Sequence, residues 1–244
     1  MNLLPFGKLP PYRARKFLSG ETDLGEWEQV APFFEKLESR IAACDSVADL
    51  EQWILDGGEL SAALDEESSR RYIAMTCHTD NQDVEKAYLH FVEKIDPETK
   101  PRQFRLAKLF MEHPLRGQLP PARYEVFIRD LGISVELFRE ANVLLETEES
   151  KLGQRYQKLS GSLTVTYQGE EKTLVQMGRY LEETDRAVRQ EAWELVARRR
   201  LEEAEKFEEQ FESMLKIREQ IAANTGFSNY RDYMFRRMGR FDYS

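Results

Sequence analysis

A single stretch, SLTVTYQGEEKTL (Ser162 to Leu174), alternates apolar and polar side chains with a period of two; elsewhere apolar residues return at the three-to-four spacing of a helix. Period two puts successive side chains on opposite faces of a strand, and a period near 3.6 gathers them into one stripe along a helix. A chain with one strand signal has no material for a large sheet. The fold class that follows is all-α: a multi-helix lobe with one long helix and a single small β-hairpin at 162–174. Leu163, Val165 and Tyr167 are the hairpin residues that must face the interior, because a slip of one residue would turn all three to solvent.

The helical segments carry their own punctuation. Trp27, Val30, Ala31, Phe34, Leu37, Ile41 and Cys44 form a first stripe. Ser46 with Asp49 resembles a capping box and opens a second helix, for which Gly57-Gly58 is a candidate interruption before Cys77. HTDNQD (His78 to Asp83) reads as a turn. Val84, Ala87, Tyr88, Phe91 and Ile95 specify a helix that Asp96-Pro97 should end, because the residue before a proline is pushed out of the helical region. Leu106, Leu109 and Phe110 mark another helix. Tyr124, Phe127, Ile128 and Leu131 mark one more, with Gly132 as its stop and Ser134 as the cap of the helix that carries Phe138 to Leu159. Thr173 with Gln176 is a second capping box. From Thr184 to about Asn224 there is neither Pro nor Gly, which predicts one helix of roughly 60 Å at 1.5 Å per residue, with Phe207, Phe211, Met214 and Ile221 on its seam. Arg199 and Arg200 interrupt that seam, which argues against a long coiled coil. No repeat recurs at a fixed period.

Charge narrows the partners. Lys and Arg number 35 against 44 Asp and Glu, a net charge of −9, so the overall field repels nucleic acid and anionic membrane. Only Cys44 and Cys77 are present, with no C-x-x-C, so neither a disulfide framework nor a cysteine zinc knuckle is written here. The opening residues, broken by Pro5, Pro10 and Pro11, do not read as a signal peptide, and no apolar run approaches membrane-spanning length. A cytoplasmic location is the expectation.

Motifs of catalysis are incomplete. His78, His90 and His113 are neither four residues apart nor followed by Glu, so the H-E-x-x-H arrangement is not formed. Cys77 and His78 with Asp80 and Asp83 point different ways from a helix end, which favours a buried Cys and a capping Asp over a metal site. Glu170-Glu171, Glu182-Glu183 and Glu202-Glu203 are neighbours along the chain and not converging acid–base pairs. Phosphate-binding glycine loops and the nucleophile elbow do not occur. The basic groups Arg198-Arg199-Arg200 and Arg236-Arg237 with Arg240 are expected to pair with nearby glutamates.

Longer phrases carry a resemblance. YIAMTCHTDNQDVEKAYLHFVEKIDP (Tyr72 to Pro97), LFREANVLLETEESKLGQRYQ (Leu137 to Gln157), TVTYQGEEKTLVQM (Thr164 to Met177) and GFSNYRDYMFRRMGRFDYS (Gly226 to Ser244) resemble, in order, the N-terminal half of the oligoendopeptidase F family of thimet-oligopeptidase-like zinc metallopeptidases. The resemblance implies a clam-like helical peptidase whose deep channel admits short peptides, with this chain as one wall or lid. It implies no metal in this chain, with zinc held on an H-E-x-x-H helix in a C-terminal catalytic half, so the chain alone should be inactive. The expected division is a proline-rich arm at 1–22, a helical lobe at 23–225 and, at 226–244, the start of a connection to that catalytic half. The segment would meet the catalytic half through Phe227, Tyr230, Tyr233, Met234, Arg236, Arg237, Met238, Arg240, Phe241 and Tyr243, or else pack on the lobe itself or on a second copy. The alternative is a free-standing helical domain for protein–protein interaction.

Overall fold

Helix follows helix through almost the whole chain in the computed structural model, which describes residues 14–241 and Tyr243. Up to residue 13 the expected proline-rich arm lies outside the described residues. The elements are α1 (Trp27–Arg40), α2 (Val47–Cys77), α3 (Gln82–His90), α4 (Asp96–Glu112), α5 (Pro121–Leu137), α6 (Glu140–Gly161), strands β1 (Thr164–Tyr167) and β2 (Glu170–Thr173), then α7 (Leu174–Met177), α8 (Arg186–Leu201), α9 (Ala204–Thr225) and α10 (Tyr230–Arg237). The expected all-α class with one small hairpin holds.

Local chemistry sets many of the boundaries. Ser46 and Asp49 form the reciprocal capping box of α2, and Thr173 and Gln176 form that of α7, so orphan amides at both helix starts are satisfied by side chains. Gly226 ends α9 in the left-handed region at φ +91°, which a residue without Cβ adopts without penalty. The strands pair antiparallel with Thr164 opposite Thr173 and Tyr167 opposite Glu170; Gln168 and Gly169 turn between them, both at positive φ. Leu163, Val165 and Tyr167 are buried, as the alternation requires.

Several expected breaks are absent, each for a packing reason. The long helix is α2, 31 residues that pass through Gly57-Gly58 without interruption, because Leu50, Trp53, Leu60 and Leu64 on either side anchor one continuous buried stripe. The segment after Val84 does not end at Asp96-Pro97 either. A π-helical turn at Phe91–Ile95 leads into α4, whose first turn accepts Pro97 where its missing N–H costs nothing. Gly132 lies inside α5 and does not stop it; an added Cβ would stand 3.4 Å from Met111 Cε of α4, and the helix runs on to bury Ile133 and Leu137. Ser134 Oγ donates to Asp130 O within α5, and α6 starts without a side-chain cap.

The expected 40-residue helix is two helices. α8 covers the hairpin, burying Ala192 against Val165, Tyr167 and Met177, whereas α9 lies along α6 and ends on Ile221 and Ala222. Two different surfaces require a bend, and Arg199 pairs with Glu202 at 3.2 Å and Glu203 at 3.1 Å across it.

The main core lies among α1, α2 and α4, where Phe34, Leu37, Leu50, Phe91 and Phe110 are almost fully buried. A second core joins α5, α9 and α10. Between α6 and α9, the buried Asn142 donates from Nδ2 to Ile221 O (3.1 Å) and Thr225 Oγ1 (3.2 Å) and accepts from Asn224 Nδ2 (2.7 Å). No helix among the described residues is long and apolar enough to cross a membrane.

One carboxylate holds the start of the described chain. Glu59 on α2 accepts the backbone N–H groups of Lys16 (2.9 Å), Phe17 (2.7 Å) and Leu18 (2.8 Å). Burial pushes its pKa up, but the three N–H groups outweigh that and hold it below the usual value. Because the folded pKa is lowered, this contribution is present above the unfolded pKa and is lost as pH falls through the folded one. Glu59→Ala is expected to remove about 2–3 kcal/mol of local stability and to open the bonds after Arg15 and Lys16 to trypsin. Unchanged cleavage would show that Phe17 and Leu18 anchor the segment by packing alone.

Candidate functional site

Beside the main core, α2, α4 and α5 enclose a groove of 760 Å³. Trp53, Leu55, Phe104, Phe127 and Phe138 give it aromatic and aliphatic walls, and Gly57 and Gly58, with no side chains, keep the α2 wall low. The aromatic geometry is set from beneath. Phe110 stacks on Trp53 at 6.1 Å between centroids and meets Phe127 edge-on at 5.6 Å, while Phe104 stacks on Phe138 at 4.2 Å.

Charge is concentrated at one end. Lys100 of α4 pairs with Glu146 of α6 at 2.7 Å, and Arg237 of α10 lines the same end. A smaller cavity of 330 Å³ continues past Glu146 and Arg237 towards Asp130, Arg139 and Tyr233. Aromatic walls of this kind suit apolar groups, and the Lys100, Glu146 and Arg237 charges suit polar ones, which makes the groove the candidate binding surface. These residues lie on five separate segments, and the sequence offered no spacing signal to group them.

The histidines do not converge. The His90 Nε2–H donates to Gly25 O at 3.1 Å, His113 Nδ1 accepts from Leu115 N at 3.3 Å, and His78 follows the end of α2. Among the described residues no three His, Cys, Asp or Glu side chains gather where they could hold a metal, so the donors here do not fit a catalytic zinc. Cys77, read from the sequence as buried, is exposed, because in the last turn of α2 it is Met75 that packs inward against Tyr88 and Val92; Cys44 is the buried one. The cap near it is Asn81, not an Asp.

The residues read as an interface divide by face. Tyr233 is buried against Ile133, Leu137, Ile221 and Ala222, with Phe227, Tyr230, Met234 and Phe241 packed around it. Burial pushes the Tyr233 and Tyr230 phenols up, so both stay neutral at physiological pH. Arg236 pairs with Glu136 at 2.6 Å, and Arg129 lies 3.8 Å over the Phe241 ring. Arg240 lies over Phe235 and Tyr243, and Met238 and Tyr243 remain 57% and 60% exposed. The inner face of the segment is thus docked on its own lobe, and the outer one stays open.

Comparison with known proteins gives this architecture relatives. Residues 22–138 match the family model of the peptidase M3 N-terminal domain. A solved structure described as an oligoendopeptidase F aligns with 95% of this chain and 41% of its own, at a TM-score of 0.84 and 23% identity. PZ peptidase A with an inhibitor aligns over 94% of this chain and 41% of its own, at 0.84 and 24%. An oligoendopeptidase F from Bacillus anthracis str. Ames aligns over 92% and 41%, at 0.84 and 22%. The chain therefore spans about two fifths of the length of these structures and shares their fold over that part. No curated protein matches it in sequence.

Proposed function

We propose, from the match of residues 22–138 to the family model of the peptidase M3 N-terminal domain, that this chain is the N-terminal helical lobe of a zinc-dependent metalloendopeptidase that hydrolyses short peptides. The observation that carries this reading is the fit of 95% of the chain to 41% of an oligoendopeptidase F structure.

In this reading the lobe walls a peptide channel, and the groove of Trp53, Phe104, Phe127 and Phe138 takes apolar peptide side chains. The catalytic H-E-x-x-H half would supply the zinc, which polarises the scissile carbonyl and activates water when bound. The residues here would orient peptide and exclude water. The helical lobe proper spans 23–225, and 226–244 begins the connection to the catalytic half. The outward side chains Met238, Arg240 and Tyr243 are the part of that segment open to contact and Arg237 faces the groove, while Phe227, Tyr230, Tyr233, Met234, Arg236 and Phe241 support them from the lobe side.

The test is reconstitution. The chain is purified alone and together with a separately expressed half bearing H-E-x-x-H, and each sample is assayed on a quenched short peptide. Hydrolysis is expected in the mixture only, and a chelator should abolish it. Chelator-sensitive cleavage by the chain alone, or no association in the mixture, would contradict the proposal; the second result would favour a free-standing interaction domain.

A further inference from the structure

At the junction of α5, α6 and α10, the 330 Å³ cavity has apolar walls in Ile133, Leu137 and Val143, and Arg139 and Arg237 line it as well. Ser134, Phe138, Glu146 and Arg237 line both this cavity and the aromatic groove, so the two form one continuous surface. A guanidinium is charged at any physiological pH and carries five N–H donors with no acceptor, so it is satisfied only by oxygens that face it.

The carboxylates nearby are already engaged by other cations. Glu146 pairs with Lys100 of α4 at 2.7 Å, and Asp130 with Arg129 at 3.5 Å. Glu136 and Glu149 are held by Arg236 and Arg218, both at 2.6 Å. Among the described residues this leaves Arg139 and Arg237 without a carboxylate of their own. Arg139 is fixed in place all the same: its Nη1 donates to Glu136 O at 2.8 Å and Phe138 O at 2.7 Å, at the C-terminal end of α5. Its Nε and Nη2 have no partner among the described residues. Arg237 is carried by α10, which Tyr233 anchors in the second core. Two positioned guanidiniums thus line one concave surface of a chain whose net charge is −9, and an anion is what would complete them.

The walls decide which anion. A guanidinium fork matches the two oxygens of a carboxylate, and Ile133, Leu137 and Val143, with Phe104 and Phe138 beyond the shared opening, suit an apolar group that bears it. Inorganic phosphate has no such group. We propose that Arg139 and Arg237 form a binding site for a peptide carboxylate, either the C-terminal one or that of an acidic side chain, with a neighbouring apolar side chain in the aromatic groove. That the ligand is a peptide rests on the peptidase reading; the two guanidiniums and their cavity do not.

The experiment measures binding to the full chain by ligand-observed NMR. The probes are N-acetyl-alanyl-phenylalanine, its C-terminal amide, and N-acetyl-glutamyl-phenylalaninamide, with inorganic phosphate as the control anion. Hydrolysis is not read, so this test and the reconstitution can fail separately. Saturable binding of at least one carboxylate peptide is expected, the tighter one identifying the source, and the amide without a carboxylate should bind about tenfold more weakly or not at all, since hydrogen bonds to charged groups carry that much. Arg237→Met should bring the carboxylate peptide down to the level of that amide, and Arg237→Lys, which keeps the charge but not the fork, should fall between. Arg139→Gln should weaken binding as well, with circular dichroism checking the fold of each variant. Arg102→Gln removes a positive charge that pairs with Glu38 elsewhere on α4 and should leave binding unchanged. No saturable binding, equal binding of acid and amide, preference for phosphate, indifference to both Arg237→Met and Arg139→Gln, or an equal loss in Arg102→Gln would each overturn the proposal.

Discussion

Phe110→Ala is expected to cost the fold about 3–5 kcal/mol, the range for removing a fully buried aromatic ring whose surroundings cannot collapse. Phe110 is 0% exposed and sits where α4 meets α2 and α5. Its ring stacks on Trp53 and meets Phe127 edge-on, so the cavity left behind would be lined by other aromatic rings held by three helices. Domains of this kind are stable by some 5–15 kcal/mol in total, so the loss should be visible as a large drop in the urea midpoint with little change in slope. It also reaches the groove: Trp53 and Phe127 are its walls, and without Phe110 they lose the surface that orients them. Phe110→Leu, which keeps most of the volume, should recover much of the stability. A Phe110→Ala loss below about 1 kcal/mol would mean that the core repacks freely, contrary to the dense packing expected of interiors.

Tyr233→Asp and Tyr243→Asp should separate sharply although both replace an aromatic residue in the same segment. Tyr233 is 3% exposed and touches the rings of Phe227 and Tyr230 at 5.9 and 5.7 Å between centroids. Aspartate there would lose the ring packing against Ile133, Leu137 and Ile221 and place a polar group in that cluster, with Arg237 the one neighbouring cation, a loss on the order of 3–5 kcal/mol. The expected result is release of α10 from α5 and α9, read as rapid tryptic cleavage at Arg236 and Arg237 and a lowered urea midpoint. Tyr243 is 60% exposed, and its replacement should shift stability by no more than about 0.5 kcal/mol. The proposed contact with a catalytic half is therefore to be probed by Tyr243→Asp and Met238→Asp, which are expected to leave the lobe folded. Equal destabilisation by the Tyr233 and Tyr243 substitutions would disprove the assignment of inner and outer faces.

Periodicity and capping chemistry made most of the elements legible. The single period-two segment became the hairpin with Leu163, Val165 and Tyr167 inward, and the boxes at Ser46-Asp49 and Thr173-Gln176 start their helices where they were read. These signals act within four residues, so the local chain suffices to determine them. The candidate site was not legible in this way, since Trp53, Phe104, Phe138, Glu146 and Arg237 come together from segments far apart along the chain.

The helical class, the place of the hairpin and most helix starts were written in the order of residues alone, because backbone hydrogen bonding and side-chain alternation are local. Where helices continue or bend was settled by packing between distant segments. Gly57-Gly58, Gly132 and Asp96-Pro97 carry breaker residues, yet helix persists there because the buried stripes on either side of the glycines and the π turn before the proline outweigh the propensity cost of about 1 kcal/mol per glycine. The Gly- and Pro-free stretch after Thr184 bends at Glu202-Glu203 because α8 packs on the hairpin and α9 on α6. Propensity is a weak local preference, and burial against a distant surface outweighs it wherever the two disagree.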